Sequence, residues 1–263
     1  MDLGIRGRVA VVAGSSQGLG RAIAVALAGE GVDLVINSRS PDKLLKVKAE
    51  IEETTGVRVE AVPCDLTPAD GATDLISAAE KAFGKVDILV TNTGGPPAGM
   101  FEDHSAEVWD DAIAQNFSSV VNLVRAALPG MKERRWGRIV NVTSISVKQP
   151  VTGLILSNSI RAGVTGFAKT MSNEVGEYNV TVNNVLPGYT RTERLIHLAQ
   201  AIAERDDTTV DSAYAGWEEE IPMGRLGEPH ELGAMTAFLC SEQASYVTGQ
   251  SIAVDGGWTK GLI

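Results

Sequence analysis

Arg8-Val9-Ala10-Val11-Val12-Ala13 runs straight into Gly14-Ser15-Ser16-Gln17-Gly18-Leu19-Gly20, and the chain continues Arg21-Ala22-Ile23-Ala24. An apolar, β-branched run, a glycine-rich turn and a helical segment follow one another without a gap. Glycine at 14, 18 and 20 lets the backbone turn sharply, approach a pyrophosphate and pack a helix close against a strand. The helix N-terminus then faces the negative charge, with Ser16, Gln17 and Leu19 lining the turn. A bare tight turn is the bland alternative; the position between a first strand and a first helix favours the nucleotide reading.

The same rhythm continues outward from this turn. Arg8 to Ala13, Asp33 to Asn37, Arg58 to Pro63, Val86 to Asn92, Arg138 to Thr143, Val180 to Leu186 and Ser251 to Val254 read as seven strands. Most are apolar throughout, which suits parallel strands covered on both faces. Amphipathic segments at Gly18 to Ala28, Lys43 to Glu53, Ala69 to Phe83 and Glu228 to Leu239 lie between them. Alternation of this kind predicts one α/β domain over residues 1–263, a doubly wound parallel sheet of Rossmann type. No internal repeat or low-complexity linker divides the chain. Thr190 to Ile221 breaks the rhythm, being polar, charged and without a convincing strand. It is expected to be an irregular lid beyond the carboxyl ends of the strands.

Composition narrows the function. Of 263 residues, 44% are hydrophobic and 21% charged, the balance of a globular chain with a full core. A formal net charge of -10, with no basic run longer than Lys132-Glu133-Arg134-Arg135, disfavours nucleic acid. No apolar segment reaches the ~18 residues of a membrane span, and no signal peptide is read at the N-terminus. Cys64 and Cys240 stand far apart with no CxxC or Cys/His cluster. Neither a disulfide framework nor a structural zinc is expected, and a cytoplasmic setting is the simplest expectation. His104, His197 and His230 show no metal-ligand spacing, and Glu218-Glu219-Glu220 reads as a solvated helix face.

The second strand selects the nucleotide. NAD sites usually end this strand with an acid that holds the ribose 2′-hydroxyl, whereas Val35-Ile36-Asn37-Ser38-Arg39-Ser40 offers hydroxyls and a cation. This favours a 2′-phosphate and NADP(H), the alternative for Arg39 being a solvated surface charge. Asp65, in Cys64-Asp65-Leu66, is placed either to accept from an adenine amino group or to cap the helix that begins near Pro68.

Taken with residues downstream, the chain resembles the short-chain dehydrogenase/reductase family over essentially its whole length. Gly14, Gly18 and Gly20 match the family's cofactor turn, and Thr91-Asn92-Thr93-Gly94 resembles its Asn-Asn-Ala-Gly stretch. Pro187-Gly188 with Thr192 resembles the loop that holds the nicotinamide amide, and Val254-Asp255-Gly256-Gly257 the closing strand and turn. The resemblance implies cofactor contacts at Leu66, Asn92, Gly94, Pro187, Gly188, Thr190 and Thr192. Gly94-Gly95-Pro96-Pro97 is expected to shape the pocket as a rigid turn.

The family's catalytic group is an Asn, a Ser, and a Tyr four residues before a Lys. Asn116 matches the Asn and Ser144 the Ser; the usual spacing then lands on Ser157 and Arg161. Arg161-Ala162-Gly163-Val164-Thr165-Gly166 resembles the small-residue helix that follows the family's Lys, which fixes the register. The chain thus departs from Tyr-x-x-x-Lys and reads as an atypical branch. A tyrosine beside a lysine works because its phenol pKa falls from ~10 towards working pH, and a serine hydroxyl is far less acidic. Arg161, four residues after Ser157 on one helical face, can still present charge and hydrogen bonds to the ribose. Lys148 is the leading replacement proton donor, with Tyr189 as an alternative and an ordinary exposed lysine as the bland reading of Lys148.

The leading expectation is an NADP(H)-dependent oxidoreductase acting on a small carbonyl or secondary alcohol, resembling 3-oxoacyl-carrier-protein reductases in fold more than in substrate. In it Ser144 polarises the carbonyl, Asn116 holds a helix or water, Arg161 anchors the ribose, and Lys148 or a water relay delivers the proton. The missing tyrosine motivates a second reading, a catalytically impaired or non-redox NADP-binding sensor or partner protein. A lyase or epimerase that uses the nicotinamide transiently is a third. A homotetramer is expected, because Gly153 to Gly176 is richer in small and apolar residues than a solvent-facing helix needs, and because family members commonly pair these helices.

Overall fold

The architecture, from a computed structural model that describes residues 1–262, is a seven-stranded sheet in the order β3-β2-β1-β4-β5-β6-β7. The strands are β1 (Val9–Val12), β2 (Asp33–Ser38), β3 (Val59–Pro63), β4 (Ile88–Thr91), β5 (Gly137–Val142), β6 (Val180–Pro187) and β7 (Ser251–Val254). Every pairing is parallel; Val11 stands opposite Val35 on one side and Leu89 on the other. The strand order reverses between β1 and β4, which opens the crevice where ligands of such sheets bind.

The unbroken apolar runs follow from burial on both faces. Ala10 and Val12 point into a core with Ile23, Leu27 and Leu44 from α1 (Gly18–Gly29) and α2 (Pro41–Thr55). Val11 and Ala13 point the other way, to Leu75 and Leu123 of α3 (Ala69–Phe83) and α5 (Ser119–Arg134). Between β4 and α5 come α4 (Ala106–Ile113) and a π-helical turn, Ala114–Ser118. The long α6 (Ile155–Val175) covers β6, and α9 (Pro229–Leu239) packs on α1.

The expected irregular lid is instead helical. Residues 190–221 contain α7 (Glu193–Arg205) and α8 (Val210–Glu220), capped by the Thr192 and Thr209 hydroxyls. Leu195, Ala199 and Ala203 recur every four residues and are buried, with Ala213 and Trp217 from α8. Leu195, Ala199, Ala213 and Trp217 form a small separate core with Ile145, Leu186 and Trp258. In α7 the apolar residues do recur on one face, at Leu195, Leu198, Ala199, Ile202 and Ala203, so the helical period is present in the sequence; the lack of a strand in this segment is what suggested an irregular course.

Among the described residues no helix is long and apolar enough to cross a membrane, and no group of three His, Cys, Asp or Glu is placed to hold a metal.

Candidate functional site

A cleft of about 610 Å³ opens at the carboxyl ends of the strands. Its floor is the glycine turn. Gly14 and Gly18 have φ of +59° and +56°, the left-handed region that favours glycine. A Cβ at Gly14 would sit 2.5 Å from the Asn92 carbonyl oxygen, and one at Gly20 would collide with the Gly14 carbonyl. Gly20 is buried and does not line the cleft; it sets the helix against the turn. Gln17, the N-cap of α1, makes no side-chain cap, so the first-turn amides of α1 keep their donors for a ligand. Ser16, Gln17, Gly18 and Leu19 line the cleft, and Asn92 Nδ2 donates to the Gly14 carbonyl at 3.0 Å. The turn, its uncapped amides and the close backbone approach fit a dinucleotide pyrophosphate.

Ser38, Arg39 and Ser40 line the adjoining end of the cleft, and Arg39 has no ion pair among the described residues. Asp65 lies there too, with Leu66. Its Oδ1 accepts from the Thr67 amide at 2.9 Å and hydroxyl at 2.8 Å, and these bonds hold the carboxyl below its ordinary range. Asp65 therefore shapes the turn into α3, although Pro68 occupies the N-cap position itself. Lys43, in the first turn of α2, also faces the cleft, hydrogen-bonded to Gln17 and 3.9 Å from Glu193. Sequence reasoning passed over Lys43; its place one turn into a helix that starts at the cleft was the available signal.

Gly94, Pro187, Gly188, Thr190 and Thr192 also line the cleft, as do Ser144, Ser157 and Arg161. Ser144 lies two residues beyond β5 and caps the short turn Ile145–Val147, its Oγ accepting from the Ser146 amide at 3.1 Å. Ser157 Oγ lies 3.4 Å from Ser146 Oγ. Arg161 is 7% exposed and donates to the Val142 carbonyl at 2.7 Å and to the Thr93 carbonyl and Asn116 Oδ1 at 3.4 Å. Burial, reinforced by the charge of Arg194, pushes its guanidinium down to about 10. Asn116 sits in the π-helical turn, fully buried; its Nδ2 donates to the Ala112 carbonyl, and Thr93 Oγ1 donates to its Oδ1 at 3.1 Å. It does not line the cleft but holds Arg161 and the Thr93 loop together.

Lys148 is a correction. The turn Ile145–Val147 carries it out to solvent, exposed and away from the cleft lining, so the four-residue step from Ser144 does not bring it to the cofactor side. Tyr189 does line the cleft, stacked on Trp217 with centroids 5.0 Å apart. Burial and the charge of Glu220 push its phenol up to about 12, the opposite of the shift a proton donor at neutral pH needs. Arg194, in the first turn of α7, also lines the cleft, and no sequence pattern marked it.

Comparison with known proteins agrees with this geometry. A family model described as enoyl-(acyl carrier protein) reductase matches residues 13–259. The 3-oxoacyl-[acyl-carrier-protein] reductase FabG of Aquifex aeolicus is 32% identical over 257 residues, covering 98% of this chain and 99% of the relative. The NADPH-dependent reductase BacG of Bacillus subtilis is 30% identical, covering 97% and 99%. L-sorbose reductase from Gluconobacter frateurii, solved with NADPH and L-sorbose, superposes with a TM-score of 0.95 at 34% identity over 100% of both chains. With the family model matching nearly the whole chain and the glycine turn and sheet order in place, the chain belongs to the short-chain dehydrogenase/reductase family.

Proposed function

We propose that this oxidoreductase uses NADP(H) to interconvert a small-molecule carbonyl and its secondary alcohol, without the family's tyrosine. The observation that carries the reading is one cleft joining an uncapped helix N-terminus, the Ser38–Arg39 pair and the Ser144 hydroxyl. The names of the relatives, NADPH-dependent reductases among them, support it.

The α1 amides hold the pyrophosphate, and Ser38 and Arg39 the 2′-phosphate, with Lys43 adding charge beside them. Leu66, Asn92 and Gly94 border the adenosine half; Pro187, Gly188, Thr190 and Thr192 border the nicotinamide. Once bound, the nicotinamide supplies the hydride. Ser144 polarises the carbonyl through its hydroxyl, which Ser146 steadies. Arg161 offers fixed positive charge to the ribose hydroxyls and to the oxygen on which negative charge develops. With Lys148 outside the cleft, the proton reaches that oxygen through a hydroxyl or water relay past Ser144 and Ser157, fed from solvent.

The Ser157–Arg161 pair also sustains the second reading, a non-redox NADP-binding sensor. A screen of carbonyl compounds for NADPH oxidation, with Ser144→Ala as control, separates the two. Turnover that Ser144→Ala lowers by about 100-fold or more supports the reductase. Tight NADPH binding with no turnover on any class of ketone or aldehyde favours the sensor.

A further inference from the structure

The two arginines at the nicotinamide end bond to neutral groups. Arg161 donates to two carbonyls and one amide oxygen. Arg194 reaches from α7 across the mouth to the carbonyls of Gly95 (3.1 Å) and Pro96 (2.9 Å). Neither has an ion pair among the described residues. Arg161 is buried, where a charge is ordinarily paired, and Arg194 stands exposed at the cleft mouth; two like charges sharing a cleft raise each other's energy. The strain is visible in Arg161, lowered first by burial and then by Arg194. The cleft's own carboxylates offer no relief: Asp65 is bonded to Thr67, and Glu193 lies towards Lys43.

Arg194 is held in place. A Cβ on Gly95 would stand 2.5 Å from its Cζ, so glycine there is what lets the guanidinium lie against the loop. Two of its five N–H groups are spent on the loop, and a fork of donors remains for a ligand. Leu198, one turn further along α7, faces the same cleft, and Val151 and Leu154 line it as well. The phosphate seat has other donors, the α1 amides and Arg39.

We propose that Arg194, with the charge of Arg161 behind it, is a receptor for a carboxylate on the substrate, so that the carbonyl compound reduced is an oxo acid with an apolar body. The inference rests on the reductase reading above. The fork binds a carboxylate in two parallel hydrogen bonds, and the apolar wall of Val151, Leu154 and Leu198 takes the carbon chain. A neutral ester of the same shape would leave the guanidinium's donors unpaired.

The test compares straight-chain oxo acids with their methyl esters in NADPH-dependent reduction, alongside titration of the saturated acids and their amides into the protein bound to NADP⁺. The acids are expected to exceed the esters in kcat/KM by roughly 100-fold. Arg194→Met is expected to remove most of that ratio through KM, with Arg194→Lys restoring part of it and the NADPH Kd moving by less than about twofold. Gly95→Ala, which displaces the guanidinium without deleting it, should weaken acid binding in the same direction. An acid-to-ester ratio near one, or one that Arg194→Met leaves intact, overturns the proposal. So does a rise in NADPH Kd matching the loss of acid binding, which would give Arg194 to a cofactor phosphate. If no carbonyl is reduced, the reductase reading fails, and the titration still decides the receptor. Acid binding over amide that depends on Arg194 upholds it; equal or absent binding of the two refutes it.

Discussion

Ser38 ends β2, where an acid would repel a 2′-phosphate, and Arg39 follows it with no ion pair among the described residues. Replacing Ser38 by Asp together with Arg39 by Ile is expected to turn the preference from NADPH towards NADH, each charged contact being worth roughly 1–3 kcal/mol. Fluorescence titration of both cofactors checks this, and equal dissociation constants in the unaltered protein would count against it. Lys148→Ala is expected to leave turnover within about twofold, since an exposed side chain outside the cleft has no route to the reacting oxygen. Loss of turnover in that variant at saturating NADPH would return the lysine to the proton path. Residues whose chemistry is local were legible in the sequence: the glycines at 14, 18 and 20, and Ser38 and Arg39 at a strand end. Lys148 and Arg194 were misread or missed because their direction is set by a short turn and by the point at which a helix begins. No spacing rule fixes where a side chain points after a single turn of irregular chain.

Helices α1 and α9 show how much of an element's place depends on one residue. A Cβ on Gly233 would come within 2.8 Å of the Ala22 carbonyl oxygen and 3.3 Å of Ala26 Cβ, so the two helices approach backbone to backbone. Gly233→Ala is expected to lower stability by roughly 1–3 kcal/mol through overpacking, read as a fall in denaturation midpoint with unchanged m-value. The N-terminus of α9 carries a second, pH-dependent contribution. Glu231 accepts from Arg225 at 2.7 and 2.9 Å and from the Glu228 amide at 2.7 Å, which brings its carboxyl down to about 2. A carboxyl lowered on folding stabilises the native state above its unfolded value and loses that contribution as pH falls through its folded value. The acid-sensitive window therefore runs from about 4.5 to about 2. Thermal melts of Glu231→Gln should fall below those of the parent at neutral pH and converge with them at the acid end. Parallel curves across the window would assign the bonds no weight. The strand pattern made these elements legible in outline, whereas the close approach at Gly233 depends on which helix meets which, a tertiary fact with no local mark.

At the scale of the whole molecule, an excess of negative charge surrounds a cleft lined by Arg39, Lys43, Arg161 and Arg194. The arrangement concentrates attraction for an anionic ligand at one mouth while the remaining surface repels it, so cofactor association should slow as salt rises. Assembly is the other property at this scale. Part of the apolar content of α6 belongs to the chain's own core, since Val164 and Ala168 are buried beneath it. Ala162, Gly163 and Gly166 remain exposed, giving α6 an outward strip with little side-chain bulk. The sheet ends at β7, a four-residue edge strand whose residues are each partly open. An unpaired edge and a small-residue helix face both invite a second copy, and two distinct two-fold contacts generate a tetramer. Gly166 supplies the discriminating variant, because a Cβ there meets nothing within 4 Å of its own chain. Gly166→Arg should therefore fold normally as judged by circular dichroism, yet obstruct the approach of a neighbouring α6. Light scattering at micromolar concentration is expected to give four times the chain mass for the parent and a smaller species for the variant. A monomeric parent would remove the tetramer, and a tetrameric variant would place the contact on a surface other than α6.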